Sequence, residues 1–153
     1  MKSPLFLPWF ITSFIIVMLI LSITFAHFYT FQNLLAEETR LFWRTIFYVL
    51  SIVMLPLTNL LRHIFLRLNQ TMPLLANANL EHVIKIRYML TITISMSMML
   101  IIGCFGATIF YFGDGFRSLH ILTGIAALGV FLYRPKLEEY QQILDSFTEN
   151  EDD

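Results

Sequence analysis

The chain has 153 residues, of which 57% are hydrophobic and only 14% are charged, whereas about a quarter of the residues in a soluble domain are charged. A folded domain in water needs a largely polar exterior, and this composition does not supply one, so the sequence predicts a lipid-embedded protein. The formal net charge of −1 excludes the strongly basic surface that nucleic-acid binding requires. The single cysteine, Cys104, has no internal disulfide partner, and we interpret it as a small packing residue.

Four apolar stretches are long enough to cross ~30 Å of hydrocarbon, which takes about 20 helical residues. They comprise residues 8–30, 43–61, 88–112 and 116–133. Helices are the expected spanning structures because every backbone polar group inside lipid has to be hydrogen-bonded internally. The sequence therefore predicts an all-α polytopic membrane protein in which residues 1–134 form a domain of four transmembrane helices.

Lysine and arginine predict the orientation, because cytoplasmic loops carry an excess of both residues. With four spans, the N-terminus, the second loop and the C-terminus share one side of the membrane. That side carries Lys2, Arg62, Arg67, Lys85, Arg87, Arg134 and Lys136, and the other side carries Arg40, Arg44 and Arg117. This bias predicts that both termini are cytoplasmic, and we expect a multi-pass protein of a bacterial inner membrane.

Two segments are expected to project into the cytoplasm: a basic helical hairpin at residues 62–87 and an acidic amphipathic tail at residues 135–153. Helices that lie on anionic lipid are usually basic on their polar face, so an acidic helix is better suited to meet protein, either the chain's own hairpin or a partner. We predict one protein-binding surface that both segments share. Its residues are Arg62, Arg67, Lys85, Arg87, Leu137, Tyr140, Leu144 and Phe147. A solvated tail is the alternative.

Four residues of the predicted spans are candidates for helix packing. Gly103 and Ala107 form a pair of small residues at i and i+4, which lets a second helix approach closely. Pro56 is expected to kink the second helix, and Asn59 is able to hydrogen-bond across helices.

His27 and His120 are placed near the outer membrane face, at the end of the first span and the start of the fourth. The stretch from Arg117 to Gly124 resembles the haem-anchoring helix of membrane b-type cytochromes, with Gly124 one turn after His120 leaving room for a macrocycle. The resemblance implies a haem b electron carrier with His27 and His120 as iron ligands. The other interpretation is that both histidines lie half-exposed in the membrane interface.

Motifs for catalysis are absent from the sequence: it has no His-Glu-x-x-His, no Cys-x-x-Cys and no glycine-rich phosphate loop. The middle of each predicted span also lacks the ionisable residues that mark ion-coupled transport. We therefore predict a non-enzymatic, cofactor-free protein that acts by association. It is expected to be a small subunit or accessory partner of a membrane complex, or a self-associating four-helix module. The haem carrier is the second hypothesis, and a passive channel is the third.

Overall fold

The computed structural model describes residues 5–28, 35–71 and 80–148, with side chains described throughout these ranges except at positions 70, 71, 80, 81, 147 and 148. All regular structure in these ranges is α-helical. The helices are α1 (Phe6–Phe28), α2 (Glu37–Thr71), α3 (Leu80–Tyr111), α4 (Phe116–Leu132) and α5 (Leu137–Thr148). The predicted all-α class is confirmed.

The helices coincide with the predicted spans, but two of them are much longer. α2 begins before the predicted span at residues 43–61 and runs ten residues beyond it, and α3 begins eight residues before the predicted span at residues 88–112. The predicted hairpin is therefore built, in its described part, from the last turns of α2 and the first turns of α3. The connection at residues 72–79 lies outside the described residues.

Three helices, α1, α2 and α3, are long and apolar enough to cross a membrane. α4 has 17 residues, a length of about 26 Å, which is shorter than the ~30 Å hydrocarbon layer. It qualifies as a span only together with α5, and the two helices are bent by 45° relative to each other. The described helices thus give three candidate spans, or four if this bent pair counts as one.

α3 lies at the centre of the protein and contacts each of the other four helices. α1 packs on α3 and α4, and α2 packs on α3, α4 and α5, whereas α1 and α2 share no contact within the described residues. The most apolar stretch of α3 is 44% buried, compared with 22% for α1 and 17% for α2. Most of the surface of α1 and α2 is therefore available to lipid or to another helix.

Two glycines bring α3 and α4 close together, one near each end of their contact. A Cβ atom at Gly106 would lie 3.2 Å from the Cβ of Leu122 and 3.3 Å from the carbonyl oxygen of Leu119. A Cβ atom at Gly129 would overlap the side chain of Met99, which is fully buried. Small residues permit this approach of two backbones, and close packing is the main attraction between helices in lipid.

Candidate association surfaces

A cluster of polar residues at one end of the bundle joins the start of α2 to the α3–α4 turn. Asp114, whose side chain is 4% exposed, accepts a hydrogen bond from Arg44 at 3.1 Å and from the hydroxyl of Ser118. Arg40 donates to the carbonyl of Gly113 at 3.2 Å. Gly113 and Gly115 both have positive φ, a conformation that glycine adopts without steric cost. This cluster fixes the turn against α2.

A second polar cluster lies at the opposite end, centred on Arg62 of α2. Only 6% of this residue is exposed, and its guanidinium forms an ion pair with Glu139 at 2.6 Å. It also donates to the carbonyls of Tyr133 and Arg134, just beyond the end of α4. These carbonyls lack helical partners, so the arginine satisfies acceptors that the helix terminus leaves open. Arg62 thereby connects α2, α4 and α5.

The apolar face of α5 packs against the chain's own α2 and α3. Tyr140 is 6% exposed and Ile143 is fully buried, and both belong to the main core. The hydroxyl of Tyr88 accepts a hydrogen bond from the backbone N–H of Lys136 and donates to its carbonyl, each at 2.9 Å. Of the two targets considered for the acidic helix, the structure therefore places it on the chain's own hairpin.

The predicted protein-binding residues are separated by this packing. Tyr140 lies in the core, and Leu144 is partly buried against it. Leu137 is 48% exposed, and among the basic residues Arg67 is exposed whereas Lys85 and Arg87 are partly buried. The side chain of Phe147 lies outside the described residues. Arg62, Tyr140 and Leu144 thus take part in the internal contact between α5 and the hairpin, and the protein-binding role of the set stays a prediction.

The residues of α2 that face the other helices are not Pro56 and Asn59, which the sequence singled out for helix packing. Pro56 lies within the helix, and its side chain and that of Asn59 are exposed. The polar link to α3 is made instead by Asn69, whose amide donates to the hydroxyl of Thr91 at 3.0 Å. The buried polar residues of α2 are Ser51, Thr58, Arg62 and Asn69, spaced at seven and four residues. Asn59 follows Thr58 by one position, about 100° around the helix, and so lies outside this face.

His27 and His120 lie close together, as a shared site would require. Their ring centroids are 6.2 Å apart, and both side chains are exposed. The ring of Phe116 lies 4.7 Å from that of His27 and 6.2 Å from that of His120. This phenyl ring packs beside both imidazoles, and Gly124, one turn after His120, faces open space. The haem hypothesis, with His27 and His120 as ligands, stays a prediction.

An open groove lies between α1 and α3, on the surface away from α2. It has a volume of about 1140 Å³, and its lining includes Ser22 and Ala26 on α1. On α3 the lining includes Gly103, Cys104 and Ala107, and Cys104 is exposed. Gly103 faces α1, because a Cβ atom there would overlap the side chain of Leu19. Gly103 and Ala107, which the sequence singled out for helix packing, therefore both lie along this groove.

The width of the groove indicates what fits into it. Its lining extends along α3 from Leu100 to Tyr111, a distance of about 16 Å at 1.5 Å per residue. Dividing the volume by this length gives a mean cross-section of about 70 Å². An α-helix with short side chains is about 10 Å in diameter and about 80 Å² in cross-section. The groove is thus wide enough to receive most of the width of one such helix.

Comparison of the chain with protein-family models, with curated proteins and with solved structures gives no match.

Sequence reasoning did not find the two polar clusters. The pairs Arg44–Asp114 and Arg62–Glu139 are 70 and 77 residues apart in the chain, and no local spacing indicates them. One clue was available: Asp114 is an isolated carboxylate, with no other acidic residue between Glu81 and Glu138.

Proposed function

We propose that this chain is a non-catalytic membrane protein that acts by association, and that the α1–α3 groove receives a transmembrane helix of a neighbouring subunit. The observation that carries this proposal is the size of the groove, since its cross-section of about 70 Å² approaches that of a helix. The neighbouring subunit belongs to a larger membrane complex or is a second copy of the same chain.

The composition of the groove supports a helix as the occupant. Its walls carry small side chains that are partly or fully exposed at Ser22, Cys104 and Ala107. Association of helices within lipid depends on van der Waals contact, because lipid tails are as apolar as the helices themselves. Small residues allow the incoming backbone to come close, and they lose little rotamer freedom when they are covered. The low burial of α1, at 22%, leaves one side of this helix available for the contact.

We further propose four spans, cytoplasmic termini and an inner-membrane location. Two observations support a fourth span made by α4. Asp114, just before α4, is paired with Arg44 of α2. The carbonyl of Tyr133, just after α4, accepts a hydrogen bond from Arg62 of α2. α4 thus extends alongside the part of α2 between Arg44 and Arg62, a length of about 27 Å. The seven lysines and arginines assigned to the cytoplasmic side outnumber the three on the other side.

Photo-crosslinking from a residue that lines the α1–α3 groove tests whether a neighbouring helix occupies it. A benzophenone amino acid in place of Cys104, which is exposed and lines the groove, is expected to give a discrete protein adduct in native membranes. The same amino acid in place of Leu128, which is 57% exposed and lies outside the groove, serves as the matched control and is expected to label lipid only. The mass of the adduct reports whether the neighbour is a second copy or another protein.

A groove-filling variant completes this experiment. Ala107→Trp places a large ring in the groove, and the adduct from position 104 is expected to fall to the background measured at position 128. Equal labelling at positions 104 and 128, or an adduct that is unchanged by Ala107→Trp, would show that no helix occupies the groove.

The topology is tested with reporter fusions at the N-terminus, at Asn77 and at the C-terminus. Each is expected to report the cytoplasm, because an even number of spans places all three positions on the lysine- and arginine-rich side. A fusion at Asp114, in the α3–α4 turn, is expected to report the opposite side. A C-terminal fusion that disagrees with the fusion at Asn77 would contradict the proposed fourth span.

A further inference from the structure

A second and much narrower groove lies between α1 and α4. It has a volume of about 370 Å³ and extends along α1 from Trp9 to Ile23, a distance of about 21 Å. The mean cross-section is therefore about 18 Å². Carbon atoms in contact lie 3.5–4.0 Å apart, so a single extended hydrocarbon chain needs on the order of 20 Å². Per unit length it has about a quarter of the volume of the α1–α3 groove, and this size suits one acyl chain better than a helix.

The two ends of the groove differ in chemistry. Arg134 and Trp9 lie at one end, and both are exposed. The guanidinium of Arg134 stacks at 4.8 Å over the ring of Phe131, which also lines the groove. Arginine binds phosphate through two parallel hydrogen bonds, and tryptophan is enriched at the level of lipid headgroups. The positive charge of Arg134 therefore indicates that the headgroup of a lipid would lie at this end of the groove.

The far end of the groove is marked by Thr123, which is 4% exposed. Among the described residues its hydroxyl has no hydrogen-bond partner. Thr123 lies nine residues before the end of α4 at Leu132, about 14 Å along the helix, and Arg134 follows two residues beyond that end. This length is close to half of the ~30 Å hydrocarbon layer, so the groove extends from Arg134 to about the depth that one leaflet occupies.

We propose that the α1–α4 groove binds one phospholipid of the adjacent leaflet, with its phosphate on Arg134 and one acyl chain lying between α1 and α4. A lipid with a net negative charge is preferred, because Lys136 lies two residues beyond Arg134 and is also exposed. The two contacts are cooperative, because binding of the phosphate to Arg134 places the acyl chain at the entrance of the α1–α4 groove. The site is independent of the α1–α3 groove, because the two share only Leu19.

The site is tested by native mass spectrometry of the full chain in mild detergent, after equilibration with equal amounts of phosphatidylglycerol and phosphatidylcholine. The wild-type protein is expected to retain one lipid, preferentially phosphatidylglycerol. Arg134→Gln is expected to lower retention of both lipids about ten-fold, because a charge-assisted hydrogen bond to the phosphate is lost, whereas Lys136 is expected to maintain the preference for phosphatidylglycerol. Arg117→Gln removes an exposed arginine at the other end of α4 and is expected to retain lipid as the wild type does.

The acyl-chain contact is tested by a second pair of variants. Ala127→Leu fills the groove from α4 and is expected to abolish retention of either lipid. Gly124→Leu, on the same helix, adds its bulk in open space and is expected to have no effect. The proposal is overturned if the wild type retains no lipid, if Arg117→Gln loses as much as Arg134→Gln, or if Ala127→Leu retains lipid like the wild type.

Discussion

Glu139→Met is expected to lower the free energy of unfolding by about 3 kcal/mol, because it leaves the buried guanidinium of Arg62 without its counter-ion. Arg62 is 6% exposed and is paired with Glu139 at 2.6 Å. Breaking a buried ion pair by removing one partner costs about 3–5 kcal/mol. The lower value applies here, since the side chain of Glu139 is 17% exposed and Arg62 keeps two backbone carbonyls as acceptors.

The measurement is thermal unfolding in detergent, combined with limited proteolysis of α5. Arg62→Met is also expected to be destabilising, whereas the double variant is expected to lose less than the sum of the two, because no isolated charge remains. Glu138→Met is the matched control, since Glu138 is the exposed neighbour of Glu139. Additive losses in the double variant, or a Glu139→Met protein as stable as Glu138→Met, would show that the ion pair does not hold α5.

Gly129→Leu is expected to cost about 1–3 kcal/mol or more, because its side chain would enter space that α3 already occupies. A Cβ atom at this position overlaps Met99 and lies 3.4 Å from the Cδ2 of Leu55. Met99 is fully buried, so its side chain has to shift within the core to make room. Helices α3 and α4 would have to separate, and the contacts around Gly106 would weaken with them.

The matched control for this variant is Gly124→Leu, five residues earlier on the same helix. No atom lies within 4 Å of a Cβ placed at Gly124, so the leucine is expected to extend into lipid without cost. Both proteins are compared by size-exclusion profile and by the temperature of unfolding in detergent. If the two unfold at the same temperature, α3 and α4 do not approach as closely as the structure shows.

The sequence by itself determined that the protein is helical, approximately where each helix lies, and that three or four helices are apolar enough for a membrane. These properties are local: each depends on the composition and length of one segment and on the need to hydrogen-bond every backbone group inside lipid. The glycine turn between α3 and α4 is local too, since Gly113 and Gly115 adopt positive φ within five residues of chain. The association, orientation and partner hypotheses remain predictions.

Only the tertiary structure decided which face of each helix is buried and which distant residues meet. A helix in lipid is apolar on all sides, so its sequence does not mark the inward face as it does for an amphipathic helix in water. For this reason Gly124 and Gly129 were not distinguishable in advance as open and closely packed. The amphipathic α5 was recognisable from its sequence, whereas its docking on the hairpin depends on Arg62 meeting Glu139 across 77 residues. Contacts of that separation arise from the packing of whole helices, and no local pattern encodes them.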